Sequence, residues 1–209
     1  MENLRALVFD LDNTLYPSSE CNAEDLCNER IKRYFINKLK CRTDEFAELR
    51  RQLIEECGDL LNGINEKYGF DRQEYWEYIW DIEVSSITPN PELNQLLKKI
   101  KPVKYIHTDS SRKHVEKTLK SLEIDGNFAG IFTSGTLGFI FKNTTETYEK
   151  LLNKIRLKAE EILLFDNNPK NIAAAQALKI KAVAVGSKQT TAEYQFSTIN
   201  DALKNLFNL

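Results

Sequence analysis

Two different apolar rhythms run along this chain. Residues 4–9 (LRALVF) are a short apolar run ending at Asp10, the pattern of a strand buried on both faces. Between residues 22 and 83 the period becomes helical. Leu26, Arg30, Ile31, Tyr34 and Phe35 recur at helix spacing, followed by Phe46, Leu49, Leu53, Ile54, Cys57 and Leu61, and then Tyr75, Trp76, Ile79 and Trp80. Gly58, Gly63 and Gly69 punctuate that stretch, and no strand pattern appears in it. Thr88-Pro89 reads as a helix start with proline in the first turn, and Leu93, Leu96, Leu97 and Ile100 form one more apolar stripe. From there strands and helices alternate. Strands are predicted at 103–107, 130–132, 162–165 and 182–185, and helices at 115–122, 148–155 and 172–178.

Strands separated by helices of this length imply βαβ units and a parallel sheet covered on both faces. The predicted class is therefore α/β, with a Rossmann-like core from 1–17 and 88–209 and an all-helical insertion at 18–87. In open α/β sheets, ligands bind outside the carboxyl ends of the strands. That rule selects Asp10 with Asp12, Thr108 with Asp109, and Asp166 with Asn167, while Lys142 lies in the loop before a helix starting near Thr144. All could converge on one crevice.

Composition narrows the function classes without naming one. Of 209 residues, 29% are charged and 42% hydrophobic, with a formal net charge of −2, so no general pull toward a nucleic-acid polymer or an anionic membrane is expected. No apolar run approaches the roughly 18 residues that span a bilayer, and the first residues lack a leader pattern, so a cytoplasmic protein is expected. Cys21, Cys27, Cys41 and Cys57 lack zinc-site spacing and are expected to be packing thiols.

The chemistry concentrates in "LVFDLDNTLYP". Asp10 and Asp12 stand one residue apart, and like charges at that spacing cost folding free energy unless something compensates, a divalent cation being the obvious candidate. Taken singly, each signal has a plain structural reading. Asp-Asn after a strand is a turn or cap signal, Thr108 could be only a helix N-cap, and Lys142 only a solvated lysine. "FDNNPKN" could be only a turn with Pro169 opening a helix. His107, inside a strand, and His114, on a helix, are expected to be packing or surface residues. Tyr75, Trp76, Tyr78 and Trp80 are expected mainly to build the core of the helical insertion.

In their order, these segments resemble the haloacid dehalogenase-like superfamily of phosphohydrolases. Asp10-Leu11-Asp12-Asn13-Thr14 matches its first motif, D-x-D-x-[TV]. Thr108 in "KYIHTDSSRKHVEKTLKSLEI" matches the second, Lys142 in "FIFKNTTETYEKLL" the third, and Asp166-Asn167 in "ILLFDNNPKNIAAAQALKIKAVAV" the fourth in part. The resemblance implies Asp10 as nucleophile and Asp12 as acid and base. Thr108 and Lys142 would hold phosphate, with Asp109 beside them as a further substrate contact. Mg2+ would be bound by Asp10, the Asp12 carbonyl and either Asp166 or Asn167. It also implies that the insertion is a C1-type cap, and the wording around the motifs looks most like the pyrimidine 5′-nucleotidase branch. The expected partner is thus a small phosphorylated substrate, foremost a pyrimidine nucleoside 5′-monophosphate. The departure is Asn167, where the family commonly carries a second acid. It keeps open a catalytically silent protein that binds a phosphorylated ligand or a protein partner. A 2-haloacid dehalogenase is disfavoured by Asp12, which such enzymes usually lack.

Overall fold

A computed structural model describes residues 3–186 and 190–208. The chain divides into two compact units, one of residues Asn22–Glu83 and the other of the segments on either side, up to Cys21 and from Val84 onward. The boundaries fall inside the expected 18–87 because Cys21, Val84 and Ile87 are buried in the hydrophobic cluster of the flanking unit.

That flanking unit is built on strands β1 (Ala6–Phe9), β2 (Val103–Thr108), β3 (Gly130–Thr133), β4 (Ile162–Asp166), β5 (Lys181–Val185) and β6 (Tyr194–Phe196). They form one six-stranded sheet in the order β3-β2-β1-β4-β5-β6, with every pairing parallel. This is the α/β class that the alternating pattern implies. The strands carry side chains alternately to two faces. Leu7, Phe9, Leu163 and Phe165 go to one hydrophobic cluster, and Ala6, Val8, Ile162 and Leu164 to the other. The first face is covered by α5 (Pro91–Lys99), α6 (Arg112–Ser121) and α9 (Ile199–Phe207), through Leu93, Leu97, Val115, Leu119, Ile199 and Leu203. The second is covered by α7 (Thr145–Ile155) and α8 (Pro169–Ala177), through Tyr148, Leu151, Ile172 and Ala175.

Two expectations change in this unit. The helix after residue 87 starts at Pro91, not at Thr88-Pro89, because the Asn90 side chain accepts from Leu93 N at 2.9 Å and Pro91 occupies the first turn, while Thr88 N donates instead to Glu20. The sheet also extends beyond 182–185 by β6, followed by α9, neither of which is among the predicted elements.

The Asn22–Glu83 unit holds α1 (Ala23–Asn37), α2 (Phe46–Cys57), α3 (Leu60–Tyr68) and α4 (Arg72–Ile79). Its core is aromatic. Tyr34 packs edge-on against Phe70, Tyr75 and Tyr78, and Phe35 against Phe46. Gly63 lets α3 approach α2, since a Cβ there would lie 2.8 Å from Leu53 Cβ. Its Cys27, Cys41 and Cys57, and Cys21 of the other unit, are not in disulfides. No helix among the described residues is long and apolar enough to cross a membrane.

Candidate active site

The parallel register places the carboxyl ends of β1, β2 and β4 side by side. Phe9 pairs with Ile106 and with Phe165, and Asp10 N continues the ladder to Phe165 O at 2.9 Å, so Asp10 and Asp166 leave adjacent strands together. Lys142 arrives from the segment before α7, whose first residue follows the cap Thr144. Its Nζ lies 2.6 Å from Asp10 Oδ1 and 2.6 Å from Asp166 Oδ2. Thr14, the last residue of the first motif, donates its hydroxyl to Asp10 Oδ2 at 2.8 Å. Both carboxylate oxygens of Asp10 are thereby oriented.

Asp166 is 0% exposed and is held from several sides. Besides Lys142, it accepts from Asn168 N at 2.8 Å and from Asn171 Nδ2 at 3.2 and 3.3 Å. Asn168 caps α8, with Pro169 in the first turn, so the local "NNP" sequence fixes the chain just beyond the acid. Asn167 is half-buried between them.

Asp12 has a different set of partners. Tyr16 Oη donates to Oδ1 and Ser110 Oγ to Oδ2, both in short contacts, and His114 Nε2 lies 2.7 Å from Oδ1. His114 was expected to be a packing or surface residue. The structure instead brings its fully buried ring to the second aspartate of the first motif. The signal that could have found it is its place in the first turn of α6, three residues after the cap Ser111, on the helix that directly follows the strand ending in Thr108.

The remaining expected residues lie in the same region with partners of their own. The Thr108 hydroxyl donates to Ser110 Oγ and accepts from Ser110 N, both at 3.1 Å. Asp109, expected to contact substrate, instead has its carboxylate engaged within the protein. It accepts from Ser134 Oγ at 2.6 Å and from Lys142 N at 3.1 Å, tying the turn after β2 to the loop that carries the lysine. His107 packs inside, with Nε2 3.1 Å from Thr147 Oγ1 and its ring edge-on to Tyr148.

The electrostatics separate the two aspartates of the first motif. Burial, helped by the neighbouring Asp166, pushes the Asp10 carboxyl up to about 7 against the pull of Lys142. Asp12 is equally removed from water, and burial acts to raise it, but His114, Ser110 and Tyr16 together bring it below the usual carboxylate range. Lys142 would be lowered by burial, yet Asp10 and Asp166 hold it charged, well above the ordinary range. His107 is driven far below its usual value by burial and by Lys142, so it is a neutral ring.

Among the described residues no three His, Cys, Asp or Glu side chains form a metal-binding group. Oxygen atoms that could hold a hard cation nonetheless lie just past the ends of β1 and β4. They are the Asp10 carboxylate, the Asp12 carbonyl, Asp166 and the Asn167 amide. The raised Asp10 fits such an ion, because three acids gather here against one lysine and its carboxyl is short of positive charge.

A family model described as haloacid dehalogenase-like hydrolase matches residues 4–179. Solved structures share the fold across almost the whole chain. A 2-haloacid dehalogenase from Pseudomonas syringae pv. Tomato DC3000 superposes with a TM-score of 0.63 at 16% identity, covering 98% of this chain and 99% of its own. The putative HAD-hydrolase YfnB from Bacillus subtilis, bound to magnesium, gives 0.62 at 16% identity over 99% of this chain and 100% of its own. A HAD phosphatase from Thermococcus onnurineus gives 0.62 at 16% identity over 98% of each chain.

Proposed function

The chain belongs to the haloacid dehalogenase-like hydrolases, and on that premise we propose that it is a Mg2+-dependent phosphomonoesterase working through an aspartyl phosphate on Asp10. The observation that carries the reading is the pair of aspartates after β1. Asp10 is aimed by Thr14 and Lys142, and Asp12 is held by an independent set of donors. A metal-free dehalogenase needs the first acid but not the second. That dehalogenases share the fold at this level of identity does not favour their chemistry here.

In the proposed reaction an Asp10 carboxylate oxygen attacks phosphorus in line with the ester oxygen. The new O–P bond forms as the ester P–O bond breaks. The Asp12 carboxyl gives its proton to the departing alkoxide, and as carboxylate then takes one from the water that attacks the same phosphorus. Phosphate leaves and Asp10 is regenerated. The Lys142 ammonium and the Thr108 hydroxyl would meet phosphoryl oxygens and the charge that develops on them. Asp10, the Asp12 carbonyl and Asp166 or Asn167 would hold Mg2+, which when bound supplies positive charge beside the phosphoryl oxygens. The Asn22–Glu83 unit serves in this reading as the C1-type cap. The substrate is a small phosphorylated metabolite, foremost a pyrimidine nucleoside 5′-monophosphate, on the likeness of "FDLDNTLYP" and of the segment after Thr108 to that branch.

Hydrolysis of p-nitrophenyl phosphate, followed by a panel of nucleoside monophosphates, tests the proposal. Turnover is expected with Mg2+ and should vanish with a chelator or in Asp10→Asn. Full activity in that variant would overturn the mechanism. Asn167 favours one second reading, a silent member that binds a phosphorylated ligand or a protein partner. A rise from no turnover to Mg2+-supported turnover in Asn167→Asp would favour it, and a modest change in an already active enzyme would reject it.

A further inference from the structure

Asp12 sits on an irregular loop, beside Asn13 with its backbone at φ +62°. A short side chain in such a place can populate several rotamers, and a proton donor is effective only within hydrogen-bond reach of its acceptor. The structure removes that freedom. Among the described residues Oδ1 takes two donors, Tyr16 Oη and His114 Nε2, whereas Oδ2 takes one, Ser110 Oγ. Each carboxylate oxygen offers two lone-pair sites, so one site on Oδ2 is left.

Two of the three donors come from the β2–α6 junction, Ser110 from its turn and His114 from the first turn of α6, 98 and 102 residues away in sequence. That junction is itself braced. Ser110 N and Oγ both bond the Thr108 hydroxyl, and Ser111 Oγ accepts from His114 N at 3.3 Å, fixing the first turn of α6. Ser110 and His114 are 1% and 0% exposed, so water does not compete for these contacts.

We propose that Ser110 and His114 are positioning residues for the proposed reaction. They lock the Asp12 carboxyl so that a single lone pair, on Oδ2, exchanges the proton with the leaving oxygen and later with water. The inference rests on the phosphomonoesterase reading and adds to it two residues outside the four motifs. Their role needs a hydrogen bond to Asp12 and no change in the charge of His114.

The alternative is that these contacts only tie the turn after β2 to the loop after β1. Leaving-group dependence separates the two. A p-nitrophenolate departs without a proton, whereas a simple alkoxide needs one. The ratio kcat/KM reports steps up to that departure. In His114→Ala, kcat/KM for an alkyl phosphate should fall by about 10²- to 10⁴-fold, the usual worth of a placed general acid, and for p-nitrophenyl phosphate by less than about 10-fold. Ser110→Ala should show the same selective loss. His114→Gln should restore most of the alkyl-phosphate activity, because its amide N–H can replace Nε2–H as the donor to Asp12. It also carries the test if the alanine variant does not fold. Equal losses on both esters, or no recovery in His114→Gln, would overturn the positioning role while leaving the phosphatase reading intact. A wild-type protein inactive on both esters would overturn both.

Discussion

Asp10→Asn should abolish turnover and, in metal-free protein, raise stability. The carboxyl titrates at about 7 in the folded chain instead of its ordinary 3.8, since it is buried and faces Asp166. At about 1.4 kcal/mol per pH unit, keeping it ionised at pH 8 costs the fold roughly 4 kcal/mol. Asparagine removes that cost and can keep both contacts, with its amide oxygen toward Lys142 Nζ and its NH2 toward Thr14 Oγ. Reorienting those groups takes back part of the gain, leaving about 2–3 kcal/mol, or roughly 4–12 °C in the midpoint for a chain of this length. The sign follows from linkage. A raised carboxyl contributes stability below pH 3.8 that is lost as pH climbs through about 7. His107, held neutral, works the other way, its contribution being present above its ordinary 6.5 and lost on acidification. Because both proteins contain His107, only their difference isolates Asp10. Urea unfolding of wild type and variant with a chelator should show that difference rising by about 4 kcal/mol between pH 4 and pH 8, from about 1 kcal/mol in favour of wild type to about 2–3 kcal/mol in favour of the variant. A variant no more stable than wild type at pH 8, or a difference flat across the range, would refute the reasoning.

Lys142→Met leaves Asp10 and Asp166 buried with no cation between them and should cost about 3–5 kcal/mol of stability, so wild-type unfolding behaviour in that variant would contradict the bridge. Asn167→Asp adds a carboxylate to the proposed cation site, and calorimetric titration should show Mg2+ bound ~10-fold or more tightly; unchanged affinity would place residue 167 outside the ligand set. Asp109→Ala strips the acceptor from Ser134 Oγ and Lys142 N and should cost about 1–3 kcal/mol along with a lower kcat, a prediction that fails if unfolding and turnover are both unchanged.

The sheet through β5 was legible because each of those strands is a short apolar run, and β1, β2 and β4 stop at an acid or a threonine. β6 was not, being three residues at the sheet edge with Tyr194 and Gln195 exposed. α9 has a readable stripe in Ile199, Ala202, Leu203 and Leu206, but "GSKQTTAEYQ" separates it from the last apolar run. At the site, the strand-end rule picks out Asp10, Thr108 and Asp166 without knowledge of contacts. It could not supply the partners of Asp12, because Ser110 and His114 reach it only through the pairing of β1 with β2. It also could not show that Asp109 is engaged within the protein, since exposure to a crevice and bonding beside it look alike in sequence.

The two aspartates of the first motif are driven in opposite directions by partner sets with no side chain in common. Thr14 and Lys142 serve Asp10; Tyr16, Ser110 and His114 serve Asp12. Environments that push neighbouring acids apart are how one site assigns two carboxylates different tasks. Here, however, the directions set by the protein's own groups are the reverse of the proposed roles. Asp10, the proposed nucleophile, is raised, and Asp12, the proposed acid, lowered. Both would be reversed by charges the reaction itself brings. A cation held on its carboxylate would favour the ionised form of Asp10, and a phosphate dianion beside Asp12 would favour its protonated form, since like charge disfavours the ionised one. The protein therefore would not need to hold a working proton arrangement in advance, only the geometry. The Asp12 partners fit that division of labour, fixing where its carboxyl lies while the substrate decides when it is protonated.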